Sequence, residues 1–157
     1  MAVTPNTAFT SGQILTAAQM NAFPRGIMTD IVSTTTSPVN LGTEATQLTS
    51  ASFTAVTGRL YRITYFEPRI RSSTDAGSPS ISLSIKNGAT YLNVADSISF
   101  TPTNVFSSCT CVYVGSLTAG ATVITATASA TSTTGTPQLQ RSAGKFAFLT
   151  IEDIGAA

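Results

Sequence analysis

Cys109 and Cys111 are the only thiols in the chain. Two residues apart in a strand, they point to one face of one chain, a poor arrangement for closing a disulfide. A zinc site would need further thiolate or imidazole ligands, and the sequence holds no histidine. The pair therefore reads as free thiols serving as small core residues. The missing histidine also removes the side chain most used for proton transfer near neutral pH. Glu152 and Asp153 are adjacent, but neighbours in a strand face opposite ways, so they cannot act as paired carboxylates within one subunit. A solvated or subunit-contacting edge is expected of them. No serine stands in a Gly-x-Ser-x-Gly elbow, and no Gly-x-x-x-x-Gly-Lys phosphate loop is present. The expectation is a protein that is not an enzyme and that has no cofactor and no metal site.

One charge cluster remains: Arg59, Arg62, Arg69 and Arg71, with Glu67 among them, in RLYRITYFEPRIR. Arginine and tyrosine together are enriched at binding hot spots, so the stretch can be a partner-contact surface. The preferred expectation is a solvated strand face, because Arg59 and Arg71 flank the strand ends and Pro68 must lie at an edge or bulge. Overall there are 8 basic and 7 acidic residues, a net charge of +1, which creates no field able to hold a polyanion or an acidic membrane surface. Nucleic acid and membrane are not expected partners.

These residues must be positioned by strands. The 157 residues, 42% of them hydrophobic, suffice for one domain with a real core plus a short appendage. After Gly26 the chain runs in Thr- and Val-rich segments separated by Gly, Pro, Asn and Ser, the signature of an all-β sandwich or barrel. The pattern predicts eight strands, over 27–35, 44–56, 59–71, 80–87, 89–96, 104–115, 121–131 and 139–153. Asn87-Gly88 suits a two-residue hairpin turn in which Lys86 pairs with Ala89. That register sets Ile81, Leu83 and Ile85 across from Val94, Leu92 and Thr90. Tyr61, Ile63 and Tyr65 alternate with Arg62 and Thr64, while the segment with Phe146 and Phe148 is apolar on both faces and must lie centrally in a sandwich or against another copy. The uncharged stretch Thr122–Gly135 is expected to be a strand whose edge is covered, loosening into a loop from Ser129.

Phe9–Gly26, FTSGQILTAAQMNAFPRG, is the one segment written for a helix. Thr16 can cap its N-terminus, Gln19 can reach back to the cap, and Leu15 and Met20 stand at staple positions. Phe23-Pro24 must stop it after about two turns. A helix this short is marginal alone, so Leu15, Met20 and Phe23 are expected to dock onto something else. The start, MAVTPNTAFTSGQ, has no basic opening or apolar run of the secretory kind, and no run approaches the length that spans a bilayer, so synthesis as a soluble protein in a cytoplasm is expected.

With Leu15-Thr16-Ala17-Ala18-Gln19-Met20-Asn21 at its centre, the opening resembles that of many tailed-bacteriophage virion proteins. The close, from Phe146 through Phe148, Glu152 and Asp153 to Gly155, is similar to the ending of short actinobacteriophage proteins called minor tail or minor capsid proteins. The strand count resembles trimeric jelly rolls of phage fibres and decoration proteins, an analogy of fold alone. The resemblance implies a non-enzymatic virion protein in which residues 1–28 attach to the particle and residues 29–157 form an antiparallel, jelly-roll-like β-sandwich. Phe9, Leu15, Met20, Phe23 and Arg25 would carry the attachment, and Tyr61, Tyr65, Phe146 and Phe148 the interface of a homo-oligomer, expected to be a trimer. The partners would be that oligomer and other virion proteins. The alternative is a receptor- or glycan-binding knob of a tail fibre, contacting the host surface through Tyr91, Tyr113 and the loops of Asp75 and Asn104.

Overall fold

Alternating β-formers broken by turn residues yield an almost entirely antiparallel β structure. The computed structural model describes residues 12, 14, 16–74, 79–96 and 105–157. Phe9, Leu15, Asp75 and Asn104 lie outside them. The elements are α1 (Ala17–Ala22), β1 (Gly26–Val32), β2 (Val39–Asn40), β3 (Ala45–Thr49), β4 (Phe53–Ala55), β5 (Arg59–Ser72) and β6 (Ile81–Asn87). There follow β7 (Thr90–Asp96), β8 (Ser107–Gly115), β9 (Gly120–Thr122), β10 (Ile124–Ala130), β11 (Pro137–Leu139) and β12 (Phe148–Ala156). α1 is the sole helix among the described residues.

The long strand β5 organises the first sheet. It pairs with β8 along one side and with β12 then β11 along the other, while β1 continues the sheet beyond β12 and β2 beyond β11. The second sheet runs β3-β10-β6-β7, and β4 pairs with β9. Between the sheets lies one core built from Tyr61, Ile63, Tyr65, Leu149 and Ile151 on one side and Ile81, Leu83, Ile85, Ala126 and Ala128 on the other. Cys111 is buried in it and Cys109 packs half-buried on the same face, both as free thiols. Burial, and then the neighbouring Cys109, pushes the Cys111 thiol up to about 11.

Among the described residues twelve strands replace the expected eight, because three long ones are interrupted and the short β2 was not expected. The spans 44–56 and 121–131 are interrupted side by side, the second at Val123 and the first from Ser50. Its amide donates to the Ile124 carbonyl at 2.9 Å and its hydroxyl accepts from the Ile124 amide at 3.0 Å, so a side chain substitutes for a ladder rung. The 139–153 span is split by a turn at 142–145, where Gly144 takes φ +75°. The β6–β7 hairpin is shifted from its expected register: Asn87 pairs with Thr90, and Gly88 alone of the two turn residues has positive φ. A bulge at Ile85/Lys86 then leaves Leu92 against the core and turns Val94 out to solvent, across from Ser84. Pro68 falls at the expected interruption, a register shift between Glu67 and Ile70 against β8. The uncharged β10 is covered on both edges, by β3 and β6 of its own chain.

Tyr61 and Tyr65 are 0% exposed, which removes them from any subunit interface. Both lie on the inner face of β5, and each hydroxyl is used internally. Tyr61 accepts from the Val56 amide at 2.9 Å, and Tyr65 donates to Glu67 Oε1 at 2.5 Å. Glu67 in turn holds Arg141, which also donates to Ser33 Oγ and to Gln47 of β3. This buried network joins the two sheets near one end of the sandwich. Burial and then the Glu67 charge push the Tyr65 hydroxyl well above its ordinary value, so it remains a donor.

Candidate functional site

At the other end, β5 meets the amino-terminal arm. Thr16 and Gln19 close a reciprocal capping box, with the Gln19 amide 3.2 Å from Thr16 Oγ1 and the Thr16 amide 2.9 Å from Gln19 Oε1. The helix ends at Phe23, in extended conformation before Pro24, as the pre-proline position requires. Its terminal carbonyls would otherwise lack donors. Arg59 supplies them: Nη1 donates to the Asn21 carbonyl and Nη2 to the Phe23 carbonyl at 2.6 Å. The same guanidinium binds Asp153 through Nε and Nη2, and Asp153 Oδ1 also accepts the Gly155 amide at 3.0 Å. Arg59 and Asp153 are both buried. The arm is thus clamped at its root by its own β-domain.

Above the clamp lies a cleft of about 250 Å³, lined by Asn21, Arg25, the Val56–Arg59 turn and Ala156. The Arg25 side chain is 44% exposed there, with Nε 4.0 Å from Asp153 Oδ2. Met20 and Phe23 project from the clamped helix, 59% and 41% exposed. Of the expected attachment residues, the structure therefore places Met20, Phe23 and Arg25 together at the arm root.

A second uncovered surface is the outer face of the first sheet. Cross-strand register builds three rows on it: Ile27–Glu152–Arg62–Val114, Asp30–Thr150–Thr64–Val112, and Val32–Phe148–Phe66–Thr110. Phe66 and Phe148 stack with ring centres 5.2 Å apart. Arg62 and Glu152 form a two-point pair at 2.6 and 3.0 Å, whose hydrogen bonds hold the Glu152 carboxyl below its ordinary value and the Arg62 guanidinium above its own. Ile27, Val32, Val112 and Val114 are exposed. Of the expected interface residues, Phe148 lies on this face, and Phe146 lies exposed just before β12.

The arginine cluster is dispersed by the fold. Arg59 is buried in the clamp, Arg62 lies on the outer face, and Arg69 and Arg71 approach the exposed Phe106 ring at 4.7 and 5.6 Å. Glu152 and Asp153 face opposite ways as expected, but Asp153 is a buried partner of Arg59 instead of an edge residue. Sequence reasoning missed the clamp because its two halves stand 94 residues apart, and neither carries a local signal. Tyr91 is bound to Glu44 at 2.6 Å, and Tyr113 donates to the Ser116 carbonyl at 2.9 Å with its ring over Gly115.

No family model matches the chain, and no curated protein matches it. Among solved structures, an arabinose-bound α-L-arabinofuranosidase aligns with 88% of this chain over 24% of its own length, at 12% identity and a TM-score of 0.29. A likeness of that size carries no argument about the chain's activity.

Proposed function

We propose that the chain is a non-enzymatic structural component of a tailed-bacteriophage particle, assembled as a symmetric homo-oligomer and attached through its amino-terminal arm. The observation that carries the proposal is the placement of uncovered apolar side chains. Met20 and Phe23 stand out from a helix held by its own domain, and Ile27, Val32, Val112 and Val114 stand out from a sheet face on which Arg62 and Glu152 are matched to each other. Surfaces of this kind mark protein contacts. The phage assignment adds the resemblance of the opening and closing residues, and the trimer and jelly-roll kinship belong to the same proposal. The test is a chain lacking residues 1–22. It should remain a folded oligomer and fail to join particles, whereas normal incorporation refutes the attachment role.

A receptor-binding knob is the second reading, favoured by Phe106, exposed between two guanidiniums at the far end of β5. Binding of the chain to host cells, lost on Phe106→Ala, would support it. A chain that binds no cell surface supports the structural reading.

A further inference from the structure

The cleft at the arm root brings two guanidiniums together. Two guanidiniums, Arg25 and Arg59, line it, and the Asp153 carboxylate that Arg59 binds lies 4.0 Å from Arg25. Both oxygens of that carboxylate are already engaged, Oδ2 by Arg59 Nε and Oδ1 by Arg59 Nη2 and the Gly155 amide. Arg25, 4.0 Å away, makes no hydrogen bond among the described residues. In the β4–β5 turn, the Thr57 and Gly58 amides likewise find no acceptor among the described residues. The Arg25 guanidinium therefore keeps its hydrogen-bond donors spare at the wall of the cleft. Its Val56 and Ala156 lining suits the short apolar stem of a carboxylate side chain better than a fully hydrated inorganic anion.

We propose that this cleft is a carboxylate-binding site, filled in the assembled particle by an aspartate or glutamate of the protein that receives the arm. Arg25 grips the incoming carboxylate and the Val56–Arg59 turn supplies backbone donors. Because Arg59 ties the same turn to α1, an occupied cleft also fixes the direction in which Met20 and Phe23 project. The partner's identity as a particle protein rests on the reading given under Proposed function; the carboxylate site does not.

Two measurements separate these claims. The full chain is titrated with N-acetyl-aspartate amide while backbone amide resonances are followed. Saturable shifts should be confined to Arg25, Thr57, Gly58, Arg59 and Ala156. Arg25→Gln should weaken binding at least tenfold, and Arg25→Lys should retain part of it. Arg69→Gln, at the far end of β5, should leave it unchanged. Absence of saturable shifts in the unsubstituted chain, or equal shifts in Arg25→Gln, overturns the site. Particle incorporation is then scored for Arg25→Gln beside the chain lacking residues 1–22. Loss in both supports the acidic partner. Normal incorporation of Arg25→Gln with exclusion of the truncated chain overturns the acidic partner while leaving arm attachment intact. Incorporation of the truncated chain overturns the attachment reading itself.

Discussion

Arg59 and Arg141 are the two cations this fold buries, and each is tolerated because its charge and donors are matched on the spot. Arg141 has Glu67, Ser33 and Gln47 around it. Replacing a buried ion pair by well-packed apolar groups can be neutral, but removing one partner leaves an uncompensated charge in the interior. Arg141→Met should therefore cost about 3–5 kcal/mol in urea unfolding. The double variant Arg141→Met with Glu67→Gln should recover much of that loss. Surface carboxylates set the acid limb of stability. Hydrogen bonds from Thr127 and Tyr91, followed by Lys86, hold the Glu44 carboxyl below its ordinary value, and Arg62 does the same for Glu152. A carboxyl lowered in the folded state contributes stability that is complete above the ordinary value of 4.5 and disappears as pH falls through the lowered folded-state value. The melting temperature should thus fall as the pH is taken below 4.5, and the fall should be shallower for Glu44→Gln.

Among the elements, α1 shows how little a capping signal achieves alone. Its six residues are too few to be stable in isolation, and the Arg59 contacts at its C-terminus complete what Thr16 begins at its N-terminus. Thr16→Ala should cost the helix about 1 kcal/mol. Faster amide exchange confined to residues 17–22 would report it, with the melting temperature of the β-domain unchanged. At the β10–β11 connection, Thr136 has φ +48°, a left-handed conformation that a β-branched residue resists. It is held there because the Gly135 carbonyl accepts from the Ser72 hydroxyl at 2.6 Å and from the Ser73 and Thr74 amides. Thr136→Gly should stabilise the protein by about 0.5–1 kcal/mol, the relieved strain exceeding the added freedom of the unfolded chain. The capping box and the break at Pro24 were legible because they depend on neighbours within four residues. The interruption at Ser50 was not, since a serine replaces a ladder rung only once Ile124 lies beside it.

For the whole molecule, the outer face of the first sheet makes the assembly prediction. Val112→Glu places a charge across from Thr64 and beside Val114 on that face without touching the core. The oligomer should dissociate to a chain-sized species by light scattering while the circular dichroism of the β-domain persists. A monomer from the unsubstituted chain would sink the assembly reading. The apolar alternation of β5 and β12 was readable in advance, yet it located the interface wrongly at Tyr61 and Tyr65. Alternation reveals that a strand has two unlike faces, and does not reveal which of them the second sheet covers.

The residues themselves determined the β class, the lone capped helix, the free thiols pointing to one face, the opposed directions of Glu152 and Asp153, and the interruption at Pro68. All of these follow from backbone geometry and local sterics, which neighbouring side chains dictate. Tertiary structure alone decided that Arg59 and Asp153 meet, that the arm is clamped to its own domain, that Tyr61 and Tyr65 are core, and that Arg25 faces a cleft at the arm root. Each of those depends on which strands become neighbours across most of the chain, a choice made by the collective packing of two sheets and written in no single segment.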